Sequence, residues 1–205
     1  DNRIGSQFLK VSVGFGGSCF QKDILNLVYL CKNYGLTEVA EYWHQIIKIN
    51  NYQKNRFAKK IIENISGKLI TFLGWSFKKN TNDSRESAAI YVADHLLKKG
   101  YNINVYDPMV NENRVLNDLK TLWEYRGISK KEIRDLLKKI NVFKDHQNAI
   151  KNSNGVAILT EWDEFKSFDW NSFLDLMDSP IKIFDGRNIL KNIYLNTSKF
   201  KLMSL

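Results

Sequence analysis

The feature that most restricts the fold of this chain is an alternation of short apolar stretches with helical stretches beyond residue 67. Apolar runs of strand length occupy residues 68–73, 101–106, 141–144, 155–160 and 181–184. Residues 87–99 carry apolar side chains at helical spacing, and Gly100 follows them. Strands separated by helices predict a parallel sheet with right-handed crossovers. The expected fold class is therefore α/β, with a Rossmann-like parallel sheet.

The turn after the first predicted strand limits what this sheet binds. Residues 74–78 read GWSFK, which does not match the GxGxxG fingerprint of a dinucleotide site. In open α/β sheets, ligands lie at the carboxyl ends of the strands. Those ends carry Lys78, Asp107, Glu161 and Arg187. We expect a pocket there for a phosphorylated, ring-bearing ligand.

The first third of the chain is predicted to be helical. Residues 37–64 contain neither Gly nor Pro and place apolar side chains at helical spacing. A helix of that length spans about 40 Å and commonly links domains or forms an oligomer interface. Gly35 is expected to end the preceding helix. The Ser66–Gly67 pair marks the boundary between a helical segment, 1–66, and a sheet domain, 67–205.

The charge balance and the apolar content of the chain limit which classes of binding partner are expected. The chain has 31 basic and 22 acidic residues, a net charge of +9, which suits an anionic partner. Because the lysines fall in scattered pairs, we interpret most as solvated and expect no nucleic-acid partner. No apolar run reaches the length of a membrane span, so no membrane association is expected. Two cysteines and three histidines match no disulfide framework and no metal site, and we expect a reducing, cytoplasmic location.

Residues 14–23, GFGGSCFQKD, form the strongest candidate site. A helix is expected to begin near Ser18, which places Cys19 in its first turn. A thiol there meets the partial positive charge of unpaired N–H groups, and Lys22 adds a cation on the same side. Both favour a nucleophilic thiolate. The alternative for Cys19 is a small buried hydrophobe at a helix start. We interpret Cys31, on the helix that follows this loop, as a core residue.

A second candidate segment is residues 77–87, FKKNTNDSRES. Asp83 or Ser84 can cap a helix starting near Arg85, and Lys78 and Arg85 can each reach a phosphate. From chemistry alone, a capped loop with stray charges fits equally well.

These segments together resemble the UDP-glucose/GDP-mannose dehydrogenase family of nucleotide-sugar dehydrogenases. The resemblance runs from Arg3 to about residue 200 and rests on DNRIG at 1–5, FLK at 8–10, GFGGSCFQKD at 14–23, FKKNTNDSRES at 77–87 and DGR at 185–187. Within the family, FQKD after the cysteine favours UDP-glucose as substrate.

The resemblance implies an architecture and a reaction. Family enzymes have an N-terminal NAD-binding domain, a central helical dimerisation domain and a C-terminal UDP-binding domain. We expect 1–66 to be the end of the central domain and 67–205 to be the UDP-sugar-binding domain, with the main NAD-binding domain outside this chain. The implied reaction is NAD-dependent, two-step oxidation of UDP-glucose to UDP-glucuronate through a thiohemiacetal and a thioester on Cys19. The implied assembly is a homodimer or a higher homo-oligomer.

The resemblance also assigns residues. Catalysis falls to Cys19 and to Asp23, which would organise water and proton transfers. The implied substrate-binding residues are Arg3, Phe8, Lys10, Val11, Ser12, Val13, Gly14, Phe15, Gly16, Phe77, Lys78 and Arg187, with Arg3 reaching the site of a neighbouring subunit. The cofactor would meet Cys19, Lys22 and Arg85 from this side.

We expect this chain alone to bind a UDP-sugar and dimerise without turnover. Three alternatives stay open: a dehydrogenase of another nucleotide sugar (a UDP-N-acetyl sugar or GDP-mannose), a non-catalytic nucleotide-sugar-binding module, and a basic nucleic-acid-binding protein. A steep salt dependence of binding to DNA or RNA would favour the last.

Overall fold

The computed structural model describes Gly5, residues 9–191, Ile193 and residues 200–205. Two helices open the chain and an α/β domain follows them. In chain order the elements are α1 (Phe20–Asn33), α2 (Thr37–Asn64), β1 (Leu69–Leu73), α3 (Ala88–Lys98), β2 (Asn102–Tyr106), α4 (Glu112–Tyr125), α5 (Lys130–Leu137), β3 (Ile140–Val142), α6 (His146–Ile150), β4 (Gly155–Ile158), α7 (Asp163–Ser167), α8 (Trp170–Phe173), a 3₁₀ turn (Leu174–Leu176), β5 (Ile181–Asp185) and β6 (Phe200–Ser204).

The six strands form one parallel sheet in the order β3-β2-β1-β4-β5-β6. The order reverses beside β1, whose Ile70 lies opposite Ile103 of β2 on one side and Gly155 of β4 on the other. The predicted Rossmann-like α/β fold is confirmed. The edge strand β6 was not predicted, because its exposed Lys201 interrupts the short apolar run that marks the other strands.

Successive strand residues pack into cores on opposite faces of the sheet, as the pleat of a strand requires. In β4, Ala157 joins the core formed with α2, α3 and α4, while Val156 and Ile158 join the core formed with α7 and α8. Strands buried on both faces read as continuous apolar runs, which is why the central strands are legible in the sequence. A third, smaller cluster holds α1 against α2 and includes Cys31, as predicted.

The helical segment contains the long helix that the sequence predicts. Helix α2 has 28 residues, about 42 Å at the usual rise. Gly35 adopts φ +70° just after α1, a conformation that suits glycine and ends the helix. No helix in the described part of the chain is long and apolar enough to cross a membrane.

Two expected helix starts are displaced. Helix α1 begins at Phe20, so Cys19 is the residue that precedes its first turn. Helix α3 begins at Ala88 and is capped by Ser87, whose Oγ accepts a hydrogen bond from Ala89 N at 3.3 Å. The prediction that Asp83 or Ser84 caps this helix is wrong, because Ser84 Oγ instead donates to the carboxylate of Asp118 on α4.

The charged stretch around residues 123–134, which carries little sequence signal, anchors α4 to α3. Trp123 is fully buried, and its indole Nε1 donates to Asp94 Oδ1 at 2.7 Å. Burial alone would raise the pKa of Asp94, but hydrogen bonds from Lys98 and Trp123 and the nearby Arg126 hold it below its usual value. The carboxylate is thus paired in the folded state.

The carboxylate of Asp107, just after β2, organises the turn after β1. Its Oδ2 accepts hydrogen bonds from Trp75 N at 2.6 Å, Ser76 N at 3.0 Å and the indole of Trp162 at 3.2 Å. Its Oδ1 accepts one from Val110 N at 2.9 Å. Asp107 is only 7% exposed, so these donors depend on it rather than on water.

We predict that Asp107→Ala lowers the free energy of unfolding by about 3 kcal/mol or more, because several buried donors lose their acceptor at once. Urea unfolding at pH 7 measures this. Asp135→Ala is the matched control: its carboxylate pairs on the surface with Lys138 at 2.9 Å, and its urea midpoint should equal that of the wild type. Equal midpoints for all three proteins would contradict the role given to Asp107.

Candidate functional site: a cysteine segment docked on the sheet edge

Residues 12–19, here called the cysteine segment, lie against the carboxyl ends of the central strands. Val13 is fully buried and fills the space beside Gly186, where an added Cβ would lie 2.4 Å from Val13 Cγ2. An added Cβ on Gly16 would lie 2.6 Å from the carbonyl oxygen of Glu86. Only glycine permits these approaches, so the two candidate segments and the DGR motif meet in one place.

Helix α2 holds the cysteine segment from its other side. Asn50 Oδ1 accepts from Phe15 N at 2.9 Å, and Asn50 Nδ2 donates to Phe15 O at 3.1 Å. One turn further, Gln53 Nε2 donates to Ser12 O at 3.4 Å. The segment has no secondary structure of its own, and α2 satisfies its backbone groups instead.

The 77–87 segment supports the end of the cysteine segment. Gly17 N donates to Arg85 O at 2.8 Å. Gly17 has φ +88° and faces the Phe77 ring, whose nearest carbon would lie 3.0 Å from an added Cβ. Lys78 is exposed, with Nζ 5.4 Å from the centroid of the same ring. Phe77 is therefore part of the site, and Lys78 lies at its rim.

Arg187 ties the cysteine segment to the sheet. Its Nη1 donates to Ser12 Oγ at 2.7 Å, and its Nη2 pairs with Glu161 at the end of β4. Its backbone N donates to Asp185 Oδ1 at 3.0 Å. Burial lowers the pKa of Arg187, and the charges of Glu161 and Asp185 oppose that effect. The guanidinium remains a cation that the site positions in advance.

Two buried polar atoms beside this ion pair have no hydrogen-bond partner among the described residues. They are Arg187 Nε and Asn188 Oδ1. Asn188 also adopts φ +51°, a strained conformation for a residue other than glycine. An unpaired donor beside an unpaired acceptor at a sheet edge suits a polar ligand. Glu161 lies at a strand end where the sequence predicts a pocket, and Asn188 was not among the predicted site residues although it also follows a strand end.

Cys19 lies at the exposed end of the segment. Its Sγ is 3.6 Å from Ser18 Oγ, and its carbonyl oxygen accepts from Asp23 N at 2.8 Å, the first turn of α1. The side chains of Lys22 and Asp23 are exposed on that turn. Arg85 is within electrostatic range of the thiol. The thiol is thus accessible and lies at the positive end of a helix.

The guanidinium of Arg85 faces solvent beside the cysteine. Its Nη2 pairs with Asp83 Oδ2 at 2.7 Å, and the bidentate contact raises the pKa of Arg85 above its ordinary value. The Arg85 side chain is 59% exposed and borders an open cleft of about 620 Å³ that Gln21 and Tyr91 also line. Arg85 is placed to meet an anionic group that approaches from outside this chain.

The turn after β1 is unsuited to a dinucleotide. An added Cβ on Gly74 would lie 2.4 Å from the Thr160 side chain, so Thr160 fills the space over this turn. The N–H groups of Trp75 and Ser76, which would face a pyrophosphate in a dinucleotide-binding turn, donate to Asp107. At this turn, therefore, the sheet does not hold NAD as a Rossmann domain does.

The remaining predicted residues lie at the edge of the site or outside the described residues. Lys10 and Val11 are exposed at the start of the cysteine segment. Arg3 and Phe8 fall outside the described residues. Among the described residues, no group of three or more His, Cys, Asp or Glu side chains is arranged to hold a metal ion.

A buried lysine beneath the cysteine segment was not predicted. Lys54 of α2 is 1% exposed, and its Nζ has no hydrogen-bond partner in the part of the chain that the structure describes. The Nζ lies 3.8 Å from the centre of the Tyr91 ring. Burial lowers the pKa of Lys54 to about 8, and the charge of Glu86 acts in the opposite direction. A lysine on the apolar stripe of a helix is the sequence signal that could have revealed it.

Fold and site together define a nucleotide-binding type of α/β domain with an accessible cysteine docked on its ligand-binding edge. Residues 71–192 match the UDP-binding domain of the UDP-glucose/GDP-mannose dehydrogenase family, and residues 1–52 match the central domain of that family. The chain belongs to the UDP-glucose/GDP-mannose dehydrogenase family.

Individual relatives agree with this assignment. The chain is 49% identical over 197 residues to UDP-glucose 6-dehydrogenase 1 of Glycine max, an alignment that covers 93% of this chain and 41% of the relative. It is 50% identical to UDP-glucose 6-dehydrogenase 4 of Arabidopsis thaliana over the same shares of the two chains. A UDP-glucose dehydrogenase structure from Pyrobaculum islandicum is 26% identical with a TM-score of 0.65, covering 100% of this chain and 40% of that one. The chain thus spans about two fifths of the length of these relatives.

We predict that Lys54→Met stabilises the fold at pH 7 by on the order of 1–2 kcal/mol, because it removes a buried, unpaired cation and keeps most of the length of the side chain. The folded-state pKa of about 8 lies below 10.5, so between these values the unfolded wild type binds more protons and its stability rises with pH. The difference between variant and wild type should therefore shrink from pH 8 upward.

Urea unfolding of both proteins at pH 7 and pH 9.5 tests this. Lys59→Met is the matched control, because the Lys59 side chain is 73% exposed on the same helix. A stability difference between Lys54→Met and wild type that does not change with pH would contradict the prediction.

Proposed function

We propose that this chain supplies the nucleophile and the UDP-sugar-binding half of a UDP-glucose 6-dehydrogenase. The observation that carries the proposal is the docking of the Cys19 segment against Arg187 at the ligand-binding edge of the sheet. Relatives that are 49% and 50% identical to this chain over 197 residues are named UDP-glucose 6-dehydrogenases, which supports UDP-glucose as the substrate.

The substrate half of the site is suited to a nucleoside diphosphate. Arg187 offers a fixed cation with an unpaired Nε, and Lys10 and Lys78 add exposed cations at the rim. Phe77 offers an aromatic ring that is only partly buried. In our proposal, Val11 and the backbone of Ser12, Gly14, Phe15 and Gly16 line the sugar-nucleotide, and Arg3 and Phe8 complete the site. The predicted residue Val13 is fully buried and supports this lining from beneath.

The proposed reaction removes two hydrides from one carbon, and Cys19 separates the two steps. NAD, when bound, would supply the oxidant for both steps, one molecule for the C6 alcohol and a second for the adduct on Cys19. Cys19 Sγ adds to the C6 aldehyde and forms a thiohemiacetal, which the second oxidation converts to a thioester. Water then displaces the thiolate and releases the carboxylate. Covalent capture keeps the aldehyde from leaving.

Neighbouring charges have proposed parts in this chemistry. Asp23, one helical turn from Cys19, organises the water and accepts its proton during hydrolysis. Lys22 and Arg85 face outward beside Cys19 and meet the cofactor, whose main binding domain we place outside this chain. This chain alone is then a UDP-sugar-binding unit without turnover. NADH formation by this chain from UDP-glucose and NAD would contradict that part of the proposal.

An exposed apolar surface on α1 and α2 supports a homodimer. Helix α2 exposes Val39, Tyr42, Ile49 and Tyr52 at helical spacing, with exposed fractions from 42% to 69%. Tyr29 of α1 lies 61% exposed on the same helix pair. Large apolar side chains gathered on one helical face commonly mark an interface. We propose that a second copy of the chain covers this surface.

The two free thiols support a reducing compartment, and we propose the cytoplasm. We also propose that neither a nucleic acid nor a membrane is a partner. UDP-N-acetyl sugars and GDP-mannose remain the alternative substrates.

We predict that this chain binds UDP-glucose and that Arg187→Ala weakens binding at least tenfold, because the substitution removes the fixed, charge-assisted donor of the site. Calorimetric titration measures both affinities, with circular dichroism to confirm folding. Arg134→Ala, which changes an exposed arginine of α5, should bind as the wild type does, and GDP-mannose should bind more weakly than UDP-glucose. Unchanged affinity in folded Arg187→Ala would refute the assigned role.

We predict that Ile49→Glu converts a dimer into a monomer, because it places a charge in the centre of the proposed apolar interface. Sedimentation velocity distinguishes the two states. Tyr125→Glu is the control, since Tyr125 is 90% exposed on α4 and is not one of the residues of the proposed interface. A monomeric wild type would rule out this interface.

A further inference from the structure

Lys54 is in an environment that does not stabilise its charge by pairing. Its side chain is 1% exposed, and its Nζ faces the Tyr91 ring at 3.8 Å without a hydrogen bond to any described residue. Glu86 attracts the ammonium from a distance but does not form an ion pair with it among the described contacts. An uncompensated charge in such a place costs stability, so it calls for a role beyond packing.

The stem of Lys54 supports the cysteine segment directly. An added Cβ on Gly14 would lie 3.1 Å from Lys54 Cγ and 3.4 Å from Lys54 Cε. Asn50 and Gln53, four and one residues earlier on α2, bond to Phe15 and Ser12. Lys54 thus lies on the helix face that holds the segment, and it brings the only charge on that face to these contacts.

The head of Lys54 leads to the start of the Cys19 helix. Tyr91, whose ring meets the ammonium, donates its hydroxyl hydrogen bond to Glu86 Oε2. Gln21, two residues after Cys19, donates to the same oxygen at 2.9 Å. Glu86 adopts φ +55°, a strained conformation for this residue type. The chain Lys54, Tyr91, Glu86 and Gln21 therefore joins α2, α3 and α1 beneath the site.

We propose that Lys54 is a positioning residue whose positive charge holds both the cysteine segment and the first turn of α1, so that ligand binding and Cys19 accessibility depend on that charge. The inference rests on the proposed function for its ligand, a UDP-sugar, but not for its effect on Cys19. Among the described contacts of Lys54, Tyr91 of α3 and Glu86 before it are titratable, and Gly14 of the cysteine segment is not. Arg126 and Asp94 act on Tyr91 from α4 and α3.

Losing the proton removes the cation from Tyr91 and the attraction to Glu86 while the stem stays in place. Deprotonation therefore distinguishes the two possible roles of Lys54. A role that depends on its charge is lost when the proton leaves, whereas a role in packing is kept. Because burial brings the pKa of Lys54 to about 8, the change falls in a range that solution experiments reach.

The test compares wild type, Lys54→Arg, Lys54→Met and the exposed control Lys59→Met at pH 7 and pH 9. One readout is the dissociation constant for UDP-glucose by calorimetry. The other is the rate of Cys19 alkylation by iodoacetamide, followed peptide by peptide so that buried Cys31 is counted separately. Each variant is compared with wild type at the same pH, so that effects of pH common to all four proteins cancel.

At pH 7 we expect Lys54→Met to bind UDP-glucose about fivefold or more weakly and to be alkylated about threefold or more faster than wild type, within the usual range of coupling between sites. At pH 9, where wild-type Lys54 is mostly neutral, both differences should largely vanish. Lys54→Arg keeps its charge and should match wild type at pH 7 and exceed its affinity at pH 9. Lys59→Met should match wild type throughout.

Parallel pH profiles for wild type and both Lys54 variants would overturn the proposal, because a structural role alone would give a constant difference. If no protein binds UDP-glucose, the substrate assignment fails, and the alkylation rates still decide the role of Lys54. In that case equal rates for Lys54→Met and wild type at pH 7 would reject it, and a difference that closes at pH 9 would support it.

Discussion

The site depends on the attachment of eight residues that form neither helix nor strand. Residues 12–19 would leave polar backbone groups unpaired if they lay on the sheet edge by packing alone. The Asn50 amide solves this by pairing with both the N–H and the C=O of Phe15, as a neighbouring strand would. Val13 fits beside Gly186, and Arg187 reaches back to Ser12. The hydrogen bonds with Asn50 and Arg187 fix the position of the segment along the sheet edge. Because Gly186 has no Cβ, Val13 can pack closely against the sheet.

The sheet domain was largely predictable from the sequence, and its attachments to the helices were not. Central strands such as β4 are buried on both faces and leave an uninterrupted apolar run, which any periodicity argument detects. Helix α2 was equally legible, because no Gly or Pro interrupts it. The edge strand β6 was not predicted because one of its faces meets solvent and a lysine interrupts its apolar run. Helix α4 was missed although Val115, Leu119 and Trp123 lie at helical spacing, a pattern that periodicity could have detected.

Side-chain partners formed over long sequence separations were the part that could not be predicted. Ser84 was predicted to cap a helix because serine is a preferred N-cap residue. In the structure its hydroxyl donates instead to Asp118, which lies 34 residues further along the chain. Glu161 pairs with Arg187, 26 residues away in sequence, and Lys54 contacts the ring of Tyr91, 37 residues away. The sequence alone does not reveal either contact. Glycines and a cysteine mark the candidate site in the sequence, whereas the charged side chains that support it come together only in the folded chain.

The turn after β1 carries a broader consequence. In a dinucleotide-binding domain the corresponding N–H groups bind an anionic ligand from solution, so the stability of that turn depends on the ligand concentration. Here Asp107 is an internal anion that occupies those donors permanently. The same fold is thereby freed from thermodynamic linkage to a cofactor at this turn. At the end of β5, two strands away in the sheet, Arg187 and Asn188 keep buried polar atoms that are unpaired among the described residues. The Asp107 carboxylate thus holds the turn after β1 in place whether or not a ligand is bound, while the end of β5 keeps polar groups that are free to pair with one.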